Sequence, residues 1–208
     1  MPSKKSPSYN DEREAEFIKM PLEKVYLYLL LVGLTAVFVG LSLAYVYTRA
    51  QNSVDGVYLP PLFILNSLLL LASSWTIRRA NQAFTLDDTV MYQRALWGTL
   101  VLTILFMTAQ LVAWTLAKDQ LLGENIGNSK QYLYALSGLH FAHIVGGLPF
   151  LLLFLYAAYK RMKEPVSVLI YFSDPVKRLR LELLTTYWHF LDGLWLFLVG
   201  LFLVNMLI

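Results

Sequence analysis

The chain has 208 residues, of which 57% are apolar and only 15% charged, whereas soluble domains carry about a quarter charged residues, so a core this small cannot hide its apolar side chains. Low charge with only 11 Gly and 8 Pro excludes disorder and collagen-like repetition, and the absence of Cys excludes a disulfide framework, thiolate metal sites, iron–sulfur clusters and Cys nucleophiles. The net charge of +3 acts through its placement along the chain, which sets orientation in a bilayer and does not mark a nucleic-acid binder.

Residues 1–20 mix Lys4, Lys5, Arg13 and Lys19 with Asp11, Glu12, Glu14 and Glu16. That pattern is unlike a signal peptide and reads as a polar cytoplasmic arm. Residues 21–208 then read as one membrane domain. Four runs lack Asp, Glu, Lys and Arg altogether: residues 25–47, 59–77, 96–116 and 134–158. A fifth, 184–206, is interrupted only by Asp192. Each is long enough at about 1.5 Å per residue to cross a hydrocarbon layer of about 30 Å. Continuous apolar runs lack the alternation of barrel strands, so the predicted fold is all-α, a polytopic bundle of five transmembrane helices. Between the fourth and fifth spans, 160–183 carries Pro165, Pro175 and six basic residues, and reads as a solvated loop. The residues before the first span, the second loop and the fourth loop together hold fourteen of the seventeen Lys and Arg residues. The positive-inside rule therefore places the N-terminus in the cytoplasm and the C-terminus outside.

Ionisable groups inside lipid are expensive and draw the closest reading. His140 and His143 share a face of the fourth span, and His189 and Asp192 repeat that spacing on the fifth. By residue type the four could hold a metal. Taking Lys160 and Arg180 as level at the inner boundary puts His140 about 30 Å, His143 about 25 Å, Asp192 about 18 Å and His189 about 13 Å from it. Ligands so separated cannot converge, so the expectation is no catalytic residue, no metal and no cofactor on this chain. His140 and His143, near the outer surface, are expected to bond to neighbouring helices or water. His189 is expected to partner Asp192 in a helix clasp. Asn66 and Ser73 share a face of the second span, and Gly33 and Gly40 a face of the first, both suited to close helix packing. Gln110 is a further buried amide, and Pro149 should kink the fourth span. Trp75, Trp97, Trp114, Tyr47, Tyr58 and Tyr134 fall near span ends, as an aromatic belt requires.

One stretch is more specific. Tyr187-Trp188-His189-Phe190-Leu191-Asp192, followed by Gly193-Leu194-Trp195-Leu196-Phe197, closely resembles the last-helix pattern of subunit III of the haem–copper oxidases. Gly138-Leu139-His140-Phe141-Ala142-His143 is similar to the Gly-x-His-x-x-His of the preceding helix. The run from Asn66 to Ser74 resembles its Asn-Thr-x-x-Leu-Leu-x-Ser-Ser segment, and Gln110 with Trp114 its Gln-x-x-x-aromatic pattern. The resemblance implies the short five-helix bacterial form, in the inner (plasma) membrane. Its partners would be catalytic subunit I, which carries haem and copper with the other redox subunits, and bound phospholipid; a larger respiratory supercomplex is left open. The role implied is that of a non-catalytic subunit of a cytochrome c oxidase, in which electron transfer to O₂ is coupled to proton pumping. Quinol oxidases and nitric oxide reductase accessory subunits share the pattern and stay open as alternatives. From another class, so does a small stand-alone channel or transporter. Where many family members carry a Ser-Glu pair on the first of these helices, Ser42 is followed here by Leu43, so no role of that glutamate carries over.

Overall fold

The computed structural model describes residues 21–52, 61–120, 129–162 and 164–207. They form helices α1 (Leu22–Asn52), α2 (Pro61–Thr85), α3 (Thr89–Gln120), α4 (Ser129–Arg161), α5 (Pro165–Phe172) and α6 (Pro175–Leu207), with no strand among the described residues. Five of them, all but α5, are long and apolar enough to cross a membrane. The expected arm lies outside the described residues, as does Tyr58.

Each spanning helix overruns its charge-free run. Arg49, Arg78, Arg79 and Arg94 all continue helices past the predicted ends, because charge stops residence in hydrocarbon but does not stop an i to i−4 ladder. The largest departure is between the fourth and fifth spans. The expected loop contains α5 and the first turns of α6, and its two prolines stand at helix starts. Proline suits a first turn, where its missing N–H had no partner to lose.

α2 and α3 form the closest pair, joined by a tight turn in which Asp87 takes a left-handed φ of 55° and the Asp88 amide reaches back to the Ala83 carbonyl at 3.0 Å. α6 packs against α2 and α4, and α1 lies against α4 and α6. Two apolar clusters result. One, around Phe38, Phe63, Phe106 and Trp195, fills the half of the bundle near the α1 C-terminus. The other, around Phe84, Tyr92, Tyr171 and Phe172, closes the opposite end beneath α5.

One expectation about α1 changes. Gly33 and Gly40 face open space, since a Cβ at either would meet nothing within 4 Å. The packing face of α1 is instead Leu34, Phe38 and Tyr45; equal spacing places two glycines on one face without saying which face turns inward. Pro149 lies inside α4, which continues on both sides of it.

At the start of α6, Asp174 Oδ1 accepts the amides of Val176 at 3.0 Å and Lys177 at 3.4 Å, while its other oxygen meets Lys177 Nζ at 2.9 Å. The Lys177 hydrogen bond, aided by the amides, holds this carboxyl below the usual aspartate range. A value lower folded than unfolded means the cap is fully effective above the ordinary carboxylate pKa of about 4 and fails as pH drops through the folded value. Amide exchange at Val176 and Lys177, corrected for intrinsic rate, should stay constant from about pH 7 to 5 and rise only below about pH 4. Asp174→Ala should raise it throughout.

Candidate functional site

The polar side chains inside the bundle pair across helices. On α6, two indoles donate to two serines of antiparallel α2: Trp195 Nε1 to Ser67 Oγ at 3.2 Å and Trp188 Nε1 to Ser73 Oγ at 3.1 Å. Beside the second rung Ser74 Oγ lies 2.6 Å from His189 Nδ1. The Asp192 carboxyl lies near the same hydroxyl. A hydroxyl has one proton and two lone pairs. It can therefore meet both His189 and one oxygen of Asp192, which leaves Asp192 Oδ2 without a partner among the described residues.

That arrangement refines the expected clasp. The sequence sets His189 three residues before Asp192 on one helix, yet a serine of another helix links them. The clasp therefore joins α2 to α6. Ser74→Ala should leave both His189 and Asp192 short of a partner and cost more stability than Thr115→Ala, whose hydroxyl bonds only to its own helix at Val112 O, 2.8 Å. Thermal unfolding of the detergent-solubilised protein would rank the two.

α2 and α3 are tied by Asn66 Nδ2 donating to Gln110 Oε1 at 2.9 Å, both residues wholly buried. Thr76 and Thr99, 2.9 Å apart, make a second tie toward the other end. α3 and α4 are joined by Trp114 Nε1 to Ser137 Oγ at 3.0 Å and by Tyr134 OH to the Trp114 carbonyl at 3.1 Å. Of the residues expected in an aromatic belt, these two also work as interhelical donors, while Trp75, Trp97 and Tyr47 lie exposed on the helix surfaces.

The histidines of α4 depart from expectation. His140 is fully buried, its ring 5.1 Å from Trp195 and 6.1 Å from Phe106, and neither ring nitrogen has a partner among the described residues. It is a packing element with an unused polar edge. His143 Nδ1 lies 2.6 Å from the Leu139 carbonyl of its own helix, and its ring meets Phe38 of α1 edge-on. Neither bonds to a neighbouring helix.

The expected heights also need correction. Because Trp195 lies beside His140, and Asp192 comes three residues before it, His140 and Asp192 differ by about one turn, ~5 Å, where the sequence estimate gave about 12 Å. The error lay in the anchor. α6 begins at Pro175, so Arg180 already stands more than a turn inside it. The closer approach still brings no ligand set together: among the described residues no three of His, Cys, Asp and Glu gather where one ion could be held.

Two contacts could not be read from the sequence. Tyr187 OH donates to the His143 carbonyl at 2.9 Å, a backbone partner that no side-chain pattern reveals. A Cβ on Gly147 would stand 2.9 Å from Tyr187 Cε1 and 3.1 Å from Trp188 Cζ3, so only glycine lets α4 approach α6 there. Leu43 points away from the bundle beside buried Ser42.

The polar and aromatic residues of these helix contacts, Asn66, Ser73, Gln110, His140, His189, Asp192 and Trp195, come from four separated segments. A family model, cytochrome c oxidase subunit III, matches residues 51–205, which include all of them. The chain belongs to the cytochrome c oxidase subunit III family. Curated relatives agree: a cytochrome c oxidase subunit 3 of Synechocystis sp. is 26% identical over 82% of this chain and 70% of its own length. One of Candida glabrata is 29% identical over 80% of this chain and 61% of its own. A probable cytochrome c oxidase subunit 3 of Rickettsia prowazekii is 30% identical over 69% of this chain and 51% of its own. This subunit III chain therefore spans about half to seven tenths of the length of these relatives.

Proposed function

We propose that the chain is a non-catalytic subunit of a terminal haem–copper oxidase, holding its partner subunits and lipid in place while electron transfer to O₂ and proton pumping proceed in the catalytic subunit. The observation that carries this reading is how the polar groups of the family-like segments are used. Asn66, Ser73, Ser74, Gln110 and His189 are engaged in hydrogen bonds between helices of this chain. Haem and copper belong, on this reading, to subunit I and its neighbours.

The basic ends of α2, α4 and α6 lie toward the cytoplasm of a bacterial cell on the same reading, with the C-terminus outside. Phospholipid binding is supported at the basic end of α2. Arg78, Arg79, Gln82 and Trp75 line an opening of about 330 Å³, with the Arg79 guanidinium 4.7 Å over the Trp75 ring. Neither arginine has an acidic partner among the described residues. Two free guanidiniums beside a boundary tryptophan suit a phosphate headgroup. A stand-alone channel would need these polar groups along a continuous path, whereas they are spent in pairs at helix contacts.

Purification in mild detergent tests the assignment: the chain should co-elute with a haem-bearing partner, and a chain that elutes alone and conducts ions in liposomes would refute it. Asp192→Ala should lower the yield of assembled complex while haem per catalytic subunit stays constant; a fall in that ratio would place Asp192 in the redox machinery. Turnover of the purified complex with cytochrome c and with quinol, each in turn, identifies the donor.

A further inference from the structure

Helix α5 is apolar on two faces that meet different surroundings. Val168, Tyr171 and Phe172 pack inward on the cluster around Phe84 and Tyr92. Val166, Leu169 and Ile170, spaced i, i+3 and i+4, point away and are 68%, 63% and 65% exposed. No residue of the helix is charged, so its outward face is as ill suited to water as its inner one.

Lipid tails do not cover that face. Phe172 lies 5.1 Å from Phe84. Phe84 stands seven residues past Ile77, the end of the charge-free run of α2, which is about 10 Å along the helix. The headgroup layer on one side of a bilayer is only about 5–8 Å thick. α5 therefore sits on the watery side of the boundary, where three adjacent exposed aliphatics call for a protein cover.

The surroundings are basic. Residues 160–182 contain six Lys and Arg against three Asp and Glu, a net +3 that equals the charge of the whole chain. Two of the acids are already taken, Asp174 by Lys177 at 2.9 Å and Glu182 by Arg178 at 3.3 Å, while Lys160 and Arg161 have no acidic partner among the described residues.

The same chain carries a complementary segment. Residues 11–20 hold Asp11, Glu12, Glu14 and Glu16 against Arg13 and Lys19, and close with the apolar pair Phe17 and Ile18 before Lys19 and Met20. They run directly into α1, whose Glu23 meets Arg180 of α6 at 3.4 Å. The root of the segment is thus pinned beside the helix that α5 precedes. Phe17 stands five residues before the start of α1, a reach of about 17 Å when extended, and so short a tether gives an effective concentration in the millimolar range.

We propose that residues 11–20 dock on α5, Phe17 and Ile18 covering Val166, Leu169 and Ile170 while the acidic residues face the basic stretches on either side. The arm then ties the start of α1 to the α4–α6 connection, a link that α1 otherwise makes at this end through the Glu23–Arg180 pair.

The absence of Cys from the sequence makes the test direct. In native membranes, Phe17→Cys combined with Leu169→Cys should give a disulfide on oxidation, read as a linked peptide pair by mass spectrometry; Phe17→Cys with Val204→Cys, at the far end of α6, should give none. Separately, Leu169→Cys should react about tenfold faster with a charged maleimide once residues 2–19 are deleted, the change expected for loss of about 1.4 kcal/mol of cover. Should the deletion fail to accumulate, Glu14→Lys with Glu16→Lys should accelerate labelling in the full chain. Equal labelling with and without these changes, a cross-link from the Leu169→Cys thiol to another polypeptide, or quenching of a label there by lipid-borne quenchers would overturn the proposal.

Discussion

Trp195→Ala should be among the most damaging single substitutions in the bundle, lowering the stability of the solubilised protein by about 3 kcal/mol, the low end of what such truncations cost in water-solvated cores. The ring is 1% exposed and touches three other helices. It stacks on Phe63 of α2 at 5.8 Å with only 9° between planes, meets Phe106 of α3 edge-on at 5.2 Å, and lies 5.1 Å from His140 of α4. In a membrane the unfolded reference keeps the ring in lipid, so no transfer from water is recovered on packing. What the substitution forfeits is dispersion contact and the filling of a site four helices share. That argument predicts an order. Ser67→Ala, which removes the acceptor of the indole N–H and leaves the ring in place, should cost only about 0.6 kcal/mol, the average for interhelical hydrogen bonds in membranes. Unfolding of the two variants by a graded denaturing detergent measures the gap; equal losses would mean the hydrogen bond, and not the ring, holds the joint.

The contrast between these variants explains what the sequence discloses. The five spans are legible because in lipid a run without charge is nearly sufficient for a helix: every backbone group must be satisfied within the segment. Helix ends are not, because Arg78 and Arg79 leave hydrocarbon without leaving the helix. α5 is hidden for a related reason, since Pro165 and Pro175 stop a helix approaching from the N-terminal side and equally well begin one. Within the clasp, what lies on a single helix can be read from spacing: His189 with Asp192, His140 with His143, Asn66 with Ser73. The joins between helices cannot. Ser74 between His189 and Asp192, and Trp195 against His140, depend on the axial register of α6 against α2 and α4, and one mistaken anchor at Arg180 displaces every height on that helix together.

Register also governs the second large expected effect, at Gly147. A methyl there would stand 2.9 Å from Tyr187 Cε1 and 3.1 Å from Trp188 Cζ3. The Tyr187 ring is held at its far end by the bond to the His143 carbonyl, and Trp188 by its bond to Ser73, so neither yields without breaking an interhelical tie. Gly147→Leu should therefore push α4 from α6 and lower stability by about 1–3 kcal/mol, the usual range for overpacking. Gly146 is the matched control. A Cβ there meets nothing within 4 Å, so Gly146→Leu should be neutral or slightly stabilising, a helical position exchanging glycine for a better helix former. If crowding of the tyrosine causes the loss, combining Gly147→Ala with Tyr187→Leu should destabilise by less than the sum of the single changes, as neighbours sharing one space do. Strict additivity, or equal damage at 146 and 147, would show that α4 and α6 do not meet at this point. The Ser67–Trp195 and Ser73–Trp188 rungs fix the register of α6 against α2, and the close approach at Gly147 fixes it against α4, so the three contacts position one helix from two sides.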